Sequence, residues 1–154
     1  MSNFQTLTKD YRDYAKLASS AESLIYTDPR SSLTVFGTFG EQLTKEILHL
    51  DNLVDWDLNQ KQRIEKLALS KNEYPAVVLT ALNDIRRKRN SAAHDDQFIA
   101  TKFDALEIDK KAYLVWKWFL EVYSLDQVPD YVKPTDQRVI LKNQEAKIKA
   151  LEEK

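Results

Sequence analysis

Two glycines and four prolines in 154 residues leave too little turn chemistry for a many-stranded sheet, because tight hairpins draw on Gly, Asn-Gly and Asp-Gly pairs. Apolar residues recur instead at three- and four-residue steps, the period of a helix that buries one face. The expected fold is all-α, a helical bundle of about five helices followed by a polar helix. With hydrophobic types at 43%, such a chain can bury one core of ordinary size without disulfides or metal. The expected organisation is a bundle over residues 1–124, a linker over 125–135, and the start of a polar, coiled-coil-like helix over 136–154. That last helix has no capping glycine before the chain stops, as in a fragment of something longer.

Phe4, Leu7, Tyr11, Tyr14, Leu17, Ala21 and Leu24 mark a first helix, with Ser2 and Gln5 at the spacing of a capping box. Pro29 disfavours helical geometry at Asp28 and suits the first position of a second helix that Asp28 would cap. This helix should run from about Arg30 to His49 with Leu33, Phe36, Leu43 and Ile47 inward. Gly37 and Gly40 fall inside it, each costing about 0.8–1.0 kcal/mol relative to Ala, so a neighbouring helix packed close is expected there. A short helix from Gln60 to Ser70 turns Ile64 and Leu67 inward, and a fourth from Ala76 to Arg89 buries Val78, Leu82 and Ile85. Thr101 and Asp104 have capping spacing ahead of a long fifth helix that carries Leu106, Tyr113, Trp116, Leu120 and Tyr123. Leu141, Ile148 and Leu151 lie at heptad-like spacing in the polar segment.

Twenty-three Lys+Arg against twenty-four Asp+Glu give a formal charge of -1, so any attraction to nucleic acid must come from a local patch. Cysteine is absent, which removes disulfide and thiolate chemistry. The N-terminal residues lack the basic start and apolar run of a secretory signal, and no apolar stretch approaches the roughly 20 residues that cross a bilayer. The expectation is a cytoplasmic protein with no membrane contact. No phosphate-binding glycine loop, HExxH, nucleophile elbow or calcium loop occurs. His49 and His94, far apart and without cysteines, do not make the ligand set of a structural zinc site. His49 is expected near a helix C-terminus, where its cationic form complements the dipole. Pro129-Asp130 followed by Glu145-Ala146-Lys147 spells the PD...ExK pattern of metal-dependent nucleases. Its second half lies in a polar helix, without the hairpin that brings such carboxylates around Mg²⁺.

"RRKRNSAAHDD", Arg86 to Asp96, is the densest cluster of polar chemistry in the chain. Arg89 can stabilise a phosphate, His94 can move a proton near neutrality, and Asn90 can orient a group. RNA supplies its own 2′-hydroxyl nucleophile, so a metal-independent ribonuclease centre is chemically coherent. Arg86, Arg87, Lys88 and Arg89 could equally bind phosphate oxygens of DNA or RNA without reading sequence. The third reading is structural: cations in the last helical turn complement the dipole, Asn90 takes a left-handed end conformation, and Ser91 and Asp95 bond free backbone groups.

"RNSAAH" resembles the RxxxxH signature of the HEPN superfamily, whose helical bundles are often dimeric and include metal-independent ribonucleases. "AESLIYTDPRSSLTVFGTFGEQLTKEIL", Ala21 to Leu48, resembles the N-terminal segment of restriction (R) subunits of type I restriction-modification enzymes. Ala21-Glu22, Tyr26, Asp28-Pro29, Phe39 and Glu41 meet that pattern. The resemblance continues through "LNDIRRKRNSAAHDD" and "FDALEIDKKAYLVWKWFLEVY" into a polar helix of the kind that precedes the nuclease and helicase regions. Two positions depart from the family: Gly37 stands where it usually has Arg, and Arg89-Asn90 where it usually has Gly-Asn. By that alignment Arg86, not Arg89, matches the family's arginine.

The resemblance implies an HEPN-like accessory domain, not itself catalytic, that serves assembly and host defence. Its partners would be the remainder of the R subunit and the modification and specificity subunits, with DNA contact and a homodimer as further options. These residues would hold no cofactor and no metal, while the parent would use ATP and Mg²⁺ to translocate and cleave DNA. The alternative is a toxin-type HEPN ribonuclease using Arg89, Asn90 and His94. Glu41, on the inward side of its helix, is expected to pair with Arg86 or to bond the Asn90–His94 turn, so that Glu41, Asn90 and His94 support that turn. Trp116 and Trp118 point about 200 degrees apart on one helix. One of them is core, and the other marks a partner surface or lies under the first helix.

Overall fold

The computed structural model describes residues 2–153. It is an all-α bundle, with a 3₁₀ turn at Lys9–Tyr11 and six helices: α1 (Arg12–Ser23), α2 (Pro29–Leu50), α3 (Gln60–Leu69), α4 (Ala76–His94), α5 (Lys102–Tyr123) and α6 (Gln137–Glu152). Among the described residues there is no strand, and no helix is long and apolar enough to cross a membrane. Asp28 caps α2 by accepting from Ser31 N, Pro29 occupies its first turn, and Thr101 with Asp104 forms a capping box on α5. Those three start signals act as the sequence predicts.

α2 is the axis of the bundle, with α1, α3, α4 and α5 all packed on it. Leu33, Phe36, Phe39, Leu43 and Ile47 are each 0% exposed, and α4 answers them with Val78, Leu82 and Ile85. Both glycines face α4. A Cβ on Gly37 would stand 2.1 Å from Arg89 Cγ, and one on Gly40 would stand 3.2 Å from Ile85 Cγ2. The helix propensity lost at these positions is thus exchanged for a close approach of the two helices, which at Gly37 leaves no room for a side chain.

The N-terminal segment departs from the expected helix. Helical structure begins only at Lys9, and Leu7 is 87% exposed. Ser2 Oγ accepts from Phe4 N, and Gln5 Nε2 turns back to Ser2 O, so the box spacing makes a local turn. The polar groups that follow find distant partners. Asn3 donates from its backbone N and from Nδ2 to the Glu22 carboxylate, while Leu7 N and Thr8 Oγ1 donate to Asp126. Such bonds compete with the helical ladder. Phe4 keeps its core role, seated against Phe36, Phe39 and Tyr113 with ring centroids 5.8–6.0 Å away.

Residues 125–135, expected as a linker, form a strap against the bundle. Asp126 holds the N-terminal segment, Val132 N donates to Asn3 Oδ1, and the Tyr131 hydroxyl donates to Asp109 Oδ2. Val128 and Tyr131 pack against the core, which is why a proline-bearing stretch stays in place. α6 then leaves the bundle with no buried residue.

Asp109 lies at the centre of this strapping, completely buried, with its Oδ1 unpartnered and the Glu22 carboxyl within bonding reach. Burial above all, reinforced by Glu22, pushes the Asp109 carboxyl up to about 9. The protonated acid can donate through Oδ1 to Glu22 while it accepts from Tyr131. A group that binds its proton more tightly in the folded chain stabilises most fully below the ordinary carboxyl range. That contribution is lost as pH rises toward the folded value, by up to about 1.4 kcal/mol per unit. Stability measured by urea melts should therefore fall between about pH 5 and 8.5, and Asp109→Asn, which keeps both bonds without titrating, should flatten that slope. An equally steep slope in the variant would refute the shared-proton arrangement.

Candidate functional site

The expected turn after Arg89 does not exist, because α4 continues through Asn90, Ser91, Ala92 and Ala93 to His94. Asn90 is helical, and the residues with left-handed backbone are Asn52, Asp57 and Glu73. Two features carry the helix onward. Ala92 is buried, and Arg30 of α2 donates from its two terminal nitrogens to the carbonyls of Ala92 and Phe98. The Ala92 carbonyl is in the last turn of α4 and Phe98 lies beyond it, so the guanidinium satisfies an orphan acceptor, complements the dipole and ties the following turn to the helix end.

Because consecutive helical residues turn by about 100 degrees, the four cations of this segment point to different sides, and each meets its own partner. Arg86 Nε donates to Asn83 Oδ1 at 3.3 Å, and exposed Arg87 lies 3.7 Å from Asp84. Lys88 bonds Asp104 at 2.8 Å and stands 5.7 Å over the Phe98 ring. Arg89 lays its stem across Gly37 and brings Nη1 to 3.7 Å from Glu41 Oε1, with its Nε buried and unpartnered. From α5, Lys111 bonds both Glu107 and Asp84, and those bonds raise its pKa. Burial alone would raise the Asp104 carboxyl, but the bonds from Lys88 and Thr101 outweigh it and hold it below its ordinary value. A cavity of about 230 Å³ between α4 and α5, whose lining includes Asp84, Glu107, Arg87, Lys88, Lys111 and Phe98, is therefore charged but nearly balanced.

Glu41 is only half-buried, and it meets Arg89, not Arg86 or the 90–94 segment. The expectation failed because residues 90–94 continue the helix, which leaves Arg89 as the cation on the face toward α2. Arg89 and His94, five positions apart on one helix, lie about 140 degrees apart around its axis. Arg89 faces α2 and His94 is exposed to solvent, so one protomer does not bring the two to a common phosphate. His49 stands in the last turn of α2, as expected. Asp130 is fully exposed beside Lys117 on the strap, while Glu145 lies on α6. Trp116 is completely buried, and Trp118 is half-buried, with its ring against Tyr74 and Tyr123.

Arg30 is the residue that sequence reasoning passed over. Its signal was present, because a cation in the first turn of a helix opposes its own dipole and so points to a partner elsewhere. The chain matches no protein-family model, no curated protein and no solved structure. Arg30→Met should lower stability by about 1.5–3 kcal/mol, the range for hydrogen bonds to a charged group. Arg87→Met should stay within about 0.5 kcal/mol. Urea melts of the two variants beside the parent chain decide this, and equal losses would remove the special role of Arg30.

Proposed function

We propose that the chain is an HEPN-like accessory domain of a type I restriction R subunit, serving complex assembly and not itself catalytic. The observation that carries this reading is the contact between the two positions where the chain departs from the family pattern. Gly37 replaces the usual Arg, Arg89 replaces the usual Gly, and these two residues touch, with the Arg89 stem lying where a Gly37 side chain would be. Large and small have changed places across one helix interface, so a guanidinium reaches Glu41 from α4 in place of α2. Compensation of this kind is expected between chains that share a packing arrangement.

The other pattern residues also have structural work. Glu22 receives the N-terminal segment, the Tyr26 hydroxyl donates to Pro134 O, Asp28 and Pro29 start α2, and Phe39 is core. An assembly role is favoured by α6, whose Leu141, Ile148 and Leu151 share one side and are 57%, 56% and 70% exposed. Modification and specificity subunits, or the rest of the R subunit, are the partners this reading assigns to that side. DNA contact is secondary in it, because the Arg86–Arg89 cations already have local partners.

Two experiments test the proposal. In a double-mutant cycle, Gly37→Arg and Arg89→Gly should each destabilise, while the double variant recovers at least about 1 kcal/mol of the summed loss. Strict additivity would remove the compensation on which the family reading rests. Gel filtration of the chain with a cognate modification–specificity complex should show co-elution that Leu141→Asp with Ile148→Asp abolishes. No co-elution, or metal-free cleavage of RNA that His94→Ala abolishes, would replace assembly with another role.

A further inference from the structure

We infer that the cleft between the C-terminal ends of α2 and α5 and the α3–α4 connection is a binding site for an alkylammonium group. It lies at the end of the bundle opposite the basic segment, and its volume is about 450 Å³. Tyr74 and Trp118 meet at 71° with centroids 6.0 Å apart, and Trp118 and Tyr123 meet at 86° with centroids 5.8 Å apart. Trp118 thus meets both tyrosine rings at steep angles, and the three aromatic residues that line the cleft offer π-systems whose negative faces attract a cation. Asp51 Oδ2 accepts from the hydroxyls of both Tyr74 and Tyr123. Donation to a carboxylate enriches each ring in electrons and fixes both tyrosines in place.

The charge of the cleft has one sign. Asp51 and Glu73 are its ionisable lining residues of acidic type, and among the described residues no Lys, Arg or His lines it. Among the described residues Asp51 Oδ1 accepts no hydrogen bond, although Oδ2 takes two. α2 and α5 both end here, at Leu50 and Tyr123, while α4 begins here, at Ala76. Two carbonyl ends against one N–H end leave a net negative contribution from the helix dipoles, in the same sense as the carboxylates. A buried tyrosine cluster that only covers core needs neither the acidic lining nor the open volume.

The cation that suits such a corner is weakly hydrated and presents methyl or methylene groups to the rings, as a methylated ammonium does. It can belong to a free small amine or to a modified lysine side chain of a partner protein. Both sources share the recognition chemistry.

The test is a ¹⁵N–¹H titration of the full chain, following the Trp118 indole N–H, assigned with Trp118→Phe. The ligands are tetramethylammonium chloride, choline chloride and a short trimethyllysine peptide. Sodium chloride at equal ionic strength and 3,3-dimethyl-1-butanol, the neutral isostere of choline, serve as controls. The expected result is a saturable shift with the cations, with dissociation constants on the order of 1 mM, and no saturable shift with either control. Asp51→Asn should weaken binding about ten-fold, and Glu73→Gln, an exposed change that leaves the fold intact, about three-fold. If Asp51→Asn loses its helical circular dichroism, the Glu73→Gln result decides alone. Tighter binding of choline assigns the site to a free amine, and tighter binding of the peptide assigns it to a partner side chain. An equal response to the isostere, no response to any cation, or binding indifferent to Glu73→Gln would overturn the inference.

Discussion

The approach of α4 to α2 across Gly37 and Gly40 determines where every other element can lie. With glycine at both points, Arg89 and Ile85 lie directly against the α2 backbone. α4 then runs antiparallel to α2, so that Arg30 at the start of α2 meets Ala92 near the end of α4. α5 packs into the angle between them. A methyl group at position 37 would have to push against the β- and γ-carbons of Arg89, of which the β-carbon moves only with the helix itself, whereas position 40 has nearly room for one. The tighter of the two contacts is therefore the one that fixes helix spacing, and overpacking there is felt along both helices.

A second constraint closes the bundle from outside. The N-terminal segment and the strap are not helical, so their backbone groups need partners that the secondary structure does not supply. They find them largely in each other and in two acidic residues, Asp126 and Glu22. Asp109 brings a third carboxyl into the same region without any cation beside it, so charge is removed there by protonation and not by pairing. Buried carboxyls arranged in this way favour one seating of the strap, because displacement of Tyr131 would take from the buried Asp109 Oδ2 its donor.

What the sequence revealed of the fold came from residues whose effect is local. Asp28-Pro29 and Thr101 with Asp104 act on neighbouring backbone, and Leu33, Phe36, Leu43 and Ile47 repeat with the helix itself, so these were legible. Ser2 and Gln5 have the same kind of spacing and mislead, because the outcome depends on Glu22 and Asp126, which lie far away in the chain. The end of α4 was misplaced for the same reason: Asn90 and Ser91 favour a stop locally, and Arg30 from another helix overrides them. At the candidate site the basic residues were legible but their acidic partners were not. Asp84 is unremarkable in sequence and Asp104 reads there only as a helix cap, and only packing shows that they pair with the cations of the cluster. Trp118 could be separated from buried Trp116 by helical phase, whereas its neighbours Tyr74 and Asp51 come from segments with no periodic relation to it.

The two ends of the bundle differ in a way that net charge conceals. At the Arg30 end, the N-termini of α2 and α5 carry the carboxylates of Asp28 and Asp104, and the C-terminal turn of α4 receives the Arg30 guanidinium on Ala92 O. Each of these charges complements the helix end it bonds, and the side chains nearby pair with one another, so the surface is polar but its field is short-ranged. At the Tyr123 end, Asp51 stands at a helix C-terminus, where a carboxylate adds to the dipole instead of cancelling it. Helix stability alone disfavours that placement, and the two tyrosine hydroxyls bonded to Asp51 hold the carboxylate there. Unbalanced charge is thus concentrated where the surface is aromatic and concave, and balanced charge where the sequence is most basic. For a bundle with a formal charge of -1, long-range attraction is therefore governed less by the count of arginines than by which helix end each charge occupies.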